Sequence, residues 1–157
     1  MDHEPQLEIK NFVEDVGIFF EQSGLPRMAG RILGWLLICD TPQQPTSELV
    51  KALKASKGSI STTTRLLIKI GLIERFSMPG IRHDYFRIKP GVWHHLIKES
   101  QVQTTAMRQF AERGLGLLKE KPPLNRQRLE EMRDVYTFFE REFPALLERW
   151  EQEHKVQ

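Results

Sequence analysis

The 157-residue sequence has a single cysteine, Cys39, and no long apolar run. One cysteine excludes a disulfide within the chain, and with it the disulfide-rich class of small secreted domains. The longest apolar stretch, residues 32–39, is far shorter than the roughly 20 residues that cross a bilayer. The first residues are polar and acidic, unlike a signal peptide. These features predict a cytoplasmic protein with no membrane partner.

Sequence motifs of catalysis and metal binding are also missing. There is no phosphate-binding glycine loop, no nucleophile elbow and no paired carboxylates with supporting residues. Gly114 and Gly116 fall within a predicted helix without a preceding strand, so they do not indicate a dinucleotide site. His94 and His95 are adjacent, so they point to different sides of a helix and make a poor metal pair. The sequence therefore predicts no enzymatic activity, no cofactor and no metal.

The charge of the chain is concentrated in one segment. The net charge is only +2, but residues 46–89 contain nine Lys or Arg and three Asp or Glu, a net of +6. The segment before it, residues 1–45, carries a net of −4, and the C-terminal segment, residues 120–157, carries −2. A basic segment between acidic flanks is typical of a module that binds nucleic acid, although a solvated surface gives the same pattern.

The order of the predicted elements indicates a winged helix-turn-helix. Apolar periodicity predicts helices over residues 5–22 and 26–38, then a polar connector over 40–45, a short helix over 47–54 and another over 57–70. Thr46 or Ser47 is expected to cap the short helix, Ser56 to cap the next one and Gly71 to end it. A β-hairpin with a basic tip follows, and then two long helices, about residues 92–119 and 125–154, separated by a Pro-Pro pair. The predicted fold is mainly α with a small β-wing, with additional N- and C-terminal dimerisation helices. We expect a single domain, 1–157, made of N-terminal helices (1–39), a winged helix-turn-helix (46–90) and C-terminal helices (91–157).

The helix over residues 57–70 has the composition of a recognition helix. If Ile60 points to the core, Thr64 and Leu67 share its face, and the opposite face is small and polar. Gly58 there would let the backbone approach a phosphate, and Arg65 would reach a guanine. The predicted DNA-binding residues are Ser56, Lys57, Gly58, Ser59, Ser61, Thr62, Arg65 and Lys69 on this helix, and Arg82 and His83 on the wing.

The roles within this surface differ. Lys57 and Lys69 are interpreted as phosphate contacts, and Arg82 as a side chain that enters a minor groove. His83 is a further candidate for a phosphate contact, and Asp84 is expected to orient Arg82 or another basic side chain. The alternative is an ordinary solvated helix face beside a polar hairpin tip.

The last predicted helix carries an apolar stripe that approximates a heptad repeat. Pro144 interrupts it and is expected to kink or stop the helix. Dimerisation is one explanation for so much apolar surface on one helix, and packing onto its own chain is the other. The predicted dimerisation residues are Leu129, Met132, Tyr136, Phe139, Phe143, Leu147 and Trp150.

The sequence resembles the MarR family of regulators, and most closely its GbsR-type branch. The resemblance is carried by residues 12–17, residues 24–36 with the Gly-Leu-Pro-Arg-Met-Ala-Gly-Arg stretch at 24–31, residues 56–61 and the wing at 79–86. It implies a homodimer with interlocking terminal helices that binds a pseudo-palindromic operator. It also implies a small-molecule effector in a cleft beside the dimer helices. If that effector is a quaternary ammonium compound, its site needs an aromatic cage. The candidates for such a cage are Phe19, Phe20, Trp35 and Trp93, all of which also suit core or interface packing.

Together these patterns predict a homodimeric, sequence-specific regulator of transcription that binds double-stranded DNA, most often as a repressor. The alternative is a winged-helix module that binds other proteins without reading DNA. Cys39 ends an apolar run and is interpreted as a buried, inert thiol rather than an oxidant sensor.

Overall fold

The computed structural model of the chain describes residues 3–154, and its elements follow the order that the sequence predicts. The fold class is confirmed as mainly α with a small β-wing. The connector before the third helix contains a short strand that the sequence did not predict. The elements are α1 (His3–Gln22), α2 (Arg27–Ile38), β1 (Gln44–Pro45), α3 (Thr46–Leu53), α4 (Lys57–Ile70), β2 (Ile73–Ser77), β3 (Asp84–Ile88), α5 (Val92–Leu117) and α6 (Pro123–His154).

The chain divides into two compact units, one up to Val92 and one from Trp93. The first unit holds helices α1 to α4 and the sheet, and the second holds nearly all of α5 and the whole of α6. The single-domain organisation expected from the sequence stays a prediction. Within residues 3–154, no helix combines the length and apolar character that a bilayer crossing requires.

Helices α1 and α2 approach each other so closely that only glycine fits at their crossing. A Cβ atom on Gly30 would lie 2.4 Å from the carbonyl oxygen of Val16, and one on Gly34 would lie 3.3 Å from Cα of Val13. The close approach brings Arg31 of α2 to α1, where its Nε donates a hydrogen bond to Oε1 of Glu14 over 2.7 Å. The glycine-containing stretch that carries the family resemblance therefore builds this crossing.

The core of the first unit lies where α2, α3, α4 and the sheet meet. Leu49 and Leu53 of α3 are buried, as their helical spacing predicts. The expected cap from Thr46 or Ser47 is absent, because α3 starts at Thr46 directly after Pro45 and no side chain caps it. The other fully buried side chains of this core include Ile32, Ile60, Thr64, Leu67, Ile73 and Val92.

The antiparallel sheet has the strand order β1-β3-β2. Strand β1, predicted as part of a polar connector, pairs Gln44 with Phe86 and Pro45 with Tyr85. The Gln44 side chain is buried, accepts a hydrogen bond from Trp35 Nε1 over 3.2 Å and donates one to the Thr41 carbonyl over 2.8 Å. Two residues that include a proline are too short for a strand pattern to be recognised in sequence.

In the second unit, α5 and α6 pack against each other. The Leu129 side chain lies where a Cβ atom on Gly114 would be, at 2.7 Å. The guanidinium of Arg108 forms an ion pair with Glu140 across the two helices. Helix α6 continues through Pro144 to His154, so of the expected kink or stop at that proline the stop is wrong. Pro144 is exposed, and water can therefore hydrogen-bond the backbone carbonyl that loses its helical N–H partner.

Candidate nucleic-acid interface

Helix α4 has the cap and the buried face that the sequence predicts. Ser56 precedes its first turn, and the Ser56 hydroxyl oxygen accepts a hydrogen bond from the Ser59 amide over 3.1 Å. At the other end, Gly71 adopts a left-handed conformation with φ of 89°, which ends the helix. Thr63 and Thr64 point inward, and the Thr64 hydroxyl donates to the Ile60 carbonyl over 2.8 Å. The Ser and Thr residues within 59–64 are therefore divided between the core and the surface of the unit.

The opposite face of α4 is exposed and carries the predicted contact residues. Gly58 lies in open space, where a Cβ atom would have no neighbour within 4 Å. Among residues 3–154, Lys57, Arg65 and Lys69 form no ion pair, so their charges are available to a ligand. Ser59 is half-buried, and its amide donates to the Ser56 cap. The exposed candidates on this helix and its cap are Ser56, Lys57, Gly58, Ser61, Thr62, Arg65 and Lys69.

The wing ends in a tight turn that presents Arg82 and His83. The Ile81 amide donates to the Met78 carbonyl over 3.1 Å, and Gly80 at the tip has a φ of 79°. Arg82 is exposed and has no ion-pair partner within the described part of the chain. His83 is also exposed, and its ring lies 5.2 Å from that of Tyr85. The turn thus holds a free cation at the outermost point of the hairpin.

Two further arginines of the wing, Arg75 and Arg87, were missed by the sequence reasoning. Arg75 lies 3.7 Å from Asp84, so the basic side chain next to Asp84 is Arg75. Arg87 lies on the other face of the hairpin, where its Nε donates to Glu74 over 2.7 Å and its guanidinium covers the Phe76 ring. The period of two in each strand was the available signal, but Arg75 and Arg87 are assigned to opposite faces only by the register of β2 against β3.

Comparison with known proteins identifies the family. The family model of the MmpR5-like MarR family transcriptional regulators matches residues 91–153. Over 145 residues the chain is 41% identical to the HTH-type transcriptional regulator MmpR5 of Mycobacterium tuberculosis, covering 92% of this chain and 88% of the relative. The chain belongs to the MarR family of transcriptional regulators. As a winged-helix member of that family, this MarR-family protein is a DNA-binding regulator of transcription.

The fold of this MarR-family regulator also has a solved counterpart. A crystal structure of a transcriptional regulator that is 41% identical matches 92% of this chain and 99% of its own, with a TM-score of 0.76. The crystal structure of a MepR mutant from a multidrug resistant S. aureus clinical isolate is 20% identical with a TM-score of 0.42, over 79% of this chain and 83% of its own. The GbsR-type branch remains a prediction, as the matching family model and relative are of the MmpR5 type.

The predicted dimerisation stripe of this MarR-family regulator mostly faces α5 of the same chain. Leu129 packs at Gly114, and the Trp150 ring stacks on that of His94 at 5.1 Å. Tyr136, Phe139 and Phe143 line a cavity together with α5 residues, and Phe143 and Leu147 line another, while Met132 is half-buried. These contacts favour own-chain packing for much of the stripe, and a role in dimerisation stays a prediction.

Three of the four aromatic residues considered for a ligand cage belong to the first unit, and Trp93 belongs to the second. Phe20 is buried and meets Phe19 edge to face at 6.3 Å. Trp35 donates its indole N–H to Gln44. For Phe20 and Trp35, these contacts favour the packing interpretation.

Proposed function

We propose that this regulator acts as a cytoplasmic homodimeric repressor that reads a pseudo-palindromic operator with two copies of α4 and the wing. The observation that carries the proposal is the exposed face of α4. It combines small hydroxyl side chains with unpaired Arg65 and Lys69 at the surface, next to a helix N-terminus that offers free N–H groups. That composition suits a major groove, and protein interfaces favour aromatic and apolar anchors instead.

Arg65 and Lys69 have different roles in this proposal. Arg65 lies midway along α4 and donates two hydrogen bonds to a guanine, whereas Lys69 in the last turn contacts a phosphate. Arg65→Ala is expected to cost about 1–3 kcal/mol on the operator and to relax sequence discrimination. Lys69→Ala is expected to weaken all duplexes alike. Identical behaviour of the two variants would contradict this division of roles.

The binding experiment uses fluorescence anisotropy with a labelled duplex from upstream of the regulator's own gene and an unrelated duplex of equal length. Binding should weaken with salt, with a log–log slope of about −0.9 for each phosphate contact. The operator duplex should bind more tightly than the unrelated one at every salt concentration. If no genomic fragment binds in a salt-sensitive way, the protein-interaction alternative is favoured and the repressor proposal fails.

Uncovered apolar side chains on α5 and α6 support a dimer. Monomeric proteins rarely expose contiguous apolar patches of this kind. On α6, the exposed apolar side chains include Val135, Phe138 and Leu146. We expect light scattering to give twice the chain mass, and Phe138→Asp to shift the population to single chains. A wild-type mass equal to one chain would contradict the dimer.

Control by a small molecule is part of the same proposal. Within the second unit, the start of α5 and the end of α6 enclose a cavity of about 450 Å³ with mainly apolar walls that include Trp93, Phe143 and Trp150. Its volume is in the range of ligand pockets. An apolar effector should raise the melting temperature of the regulator and weaken its binding to DNA. A ligand screen by melting temperature tests this, and Leu147→Trp, which fills the cavity, is the control.

A further inference from the structure

One face of the wing is turned toward α4. Cross-strand partners in an antiparallel ladder lie on the same face of the sheet. Arg75 pairs with Phe86 and Ser77 with Asp84, and Phe86 is buried against the core that α4 helps to form. Arg75 and Ser77 therefore lie on the face toward α4. Arg87 pairs with Glu74 and lies on the opposite face.

A cavity of about 510 Å³ lies between α4 and β2, the edge strand of the sheet, and Arg75 lines it. Its walls contain more basic than acidic side chains. The one acidic residue, Glu74, accepts a hydrogen bond from Arg87 over 2.7 Å, which leaves the other charges of the cavity positive. The lining residues are Arg65, Ile68, Gly71, Ile73, Glu74, Arg75 and Lys89.

The contact between Arg75 and Asp84 is one that a phosphate can replace. Their charged atoms are 3.7 Å apart, and the side chains are 47% and 42% exposed. An exposed pair of this kind contributes little to stability. The Ser77 hydroxyl donates to Asp84 Oδ1 over 2.8 Å and holds the carboxylate in place. Arg75, which lines the cavity, is therefore held by a contact weak enough for a phosphate to displace.

The geometry of duplex DNA determines what passes through this cavity. When α4 lies in a major groove and Arg82 at the wing tip enters the adjacent minor groove, one sugar-phosphate strand separates the two grooves. That strand must run between α4 and the wing. Its phosphates therefore meet the wing face that carries Arg75.

We propose that Arg75 and Lys89 form a binding groove for the phosphates of the DNA strand between the two grooves, with α4 as its opposite wall. This inference rests on the proposed function, because it assumes that α4 and the wing bind one duplex. Phosphate contacts fix the position of a protein on DNA and carry no sequence information. Arg75 consequently raises affinity for every duplex and anchors the register in which α4 reads the operator.

The test compares Arg75→Gln with Arg87→Gln by anisotropy over a salt series. The two variants are matched, since each removes one exposed arginine with an acidic partner from the same hairpin, but from opposite faces. Arg75→Gln is expected to weaken binding to the operator and to the unrelated duplex by the same factor. It is also expected to reduce the magnitude of the log–log slope of affinity against salt by about 0.9. Arg87→Gln is expected to keep the wild-type slope, and Arg75→Lys to restore it. An unchanged salt slope in Arg75→Gln would contradict the proposed groove, and so would a loss of slope in Arg87→Gln equal to that in Arg75→Gln.

A second measurement changes the DNA and tests the wild-type protein directly. Operator duplexes are made with a single neutral methylphosphonate at successive positions of the strand between the two grooves. We expect wild-type binding to weaken at one or two of these positions, and Arg75→Gln to be insensitive there. If wild-type binding is unchanged by a methylphosphonate at every position, the groove is contradicted and the proposed function stands. A wild-type protein that binds no duplex in a salt-sensitive way contradicts the proposed function itself.

Discussion

Arg31 donates a hydrogen bond from Nε to Oε1 of Glu14 over 2.7 Å, joining α2 to α1. The same guanidinium donates from Nη2 to the carbonyl of Leu53 over 3.0 Å. Leu53 is the last residue of α3, and its carbonyl is one of those that a helix leaves without an internal partner. Arg31 therefore connects the α1–α2 crossing to the turn that leads into α4.

Loss of Arg31 should destabilise the first unit. Arg31→Met retains much of the aliphatic volume but leaves Glu14 and the Leu53 carbonyl without this donor. Hydrogen bonds from a charged donor contribute about 1.5–3 kcal/mol each before solvent screening, and we expect a net loss of about 1–3 kcal/mol. Urea denaturation followed by circular dichroism measures it. Arg27→Met is the control, as Arg27 lies 3.6 Å from the same carboxylate and is 45% exposed; an equal loss there would contradict a special role for Arg31.

Replacing Gly58 by alanine should raise the stability of the fold but weaken its binding to DNA. A Cβ atom at this position has open space around it. Alanine loses less backbone entropy than glycine on folding, so we expect a gain of up to about 0.5–1 kcal/mol in the free energy of unfolding. Binding to DNA should weaken, because a methyl group would hold the helix backbone away from the phosphate. Thermal melting and anisotropy measure the two effects; unchanged DNA affinity would show that the backbone of Gly58 does not approach the DNA.

The same substitution at Gly30 should have the opposite effect on stability. A Cβ atom there would lie 2.4 Å from the Val16 carbonyl oxygen, and backbone cannot move aside as a flexible side chain does. We expect Gly30→Ala to lower the free energy of unfolding by about 1–3 kcal/mol or more. Thermal melting beside Gly58→Ala provides the comparison. A Gly30→Ala protein as stable as the wild type would mean that α1 and α2 pack less closely than described.

The stability of the second unit should fall in acid through Glu140. A hydrogen bond from Arg108 lowers the pKa of the Glu140 carboxyl below its ordinary value of 4.5, and one from Thr105 adds to this. A carboxyl with a lowered folded-state pKa stabilises the fold above its unfolded pKa, and that stability is lost as the pH falls through the folded pKa. The melting temperature should therefore fall when the pH is lowered below 4.5. It should fall less in Glu140→Gln. Glu142→Gln, whose partner Arg141 is its neighbour on the same helix, should follow the wild type.

The thiol of Cys39 should react slowly at neutral pH. Burial raises the pKa of this thiol, and Cys39 is half-buried. Its Sγ also donates to the Thr41 carbonyl over 3.1 Å. Because the thiolate is the reactive form, a raised pKa leaves little of it available. Alkylation should be slower in the folded protein than in urea at the same pH, whereas equal rates would favour the oxidant-sensor alternative.

The amino-acid sequence alone determined the helices, the wing and the exposed face of α4. These depend on local signals: apolar spacing around Ile60 and Leu67, the Ser56 cap, and Gly71, which ends α4. The family resemblance was also found from the sequence alone. Its motif contains Gly30 and Gly34, the glycines of the α1–α2 crossing. Each of these signals lies within one element or between neighbouring elements.

Only the tertiary structure decided which side chains meet across elements. The Arg75 contact with Asp84, the position of Arg75 on the wing face toward α4, and strand β1 all depend on strand register and on pairing between distant residues. The same holds for α6, where apolar periodicity identified an apolar stripe but not its partner. A period of apolar residues requires a covering surface, and the same period results whether that surface is α5 of the same chain or a second molecule.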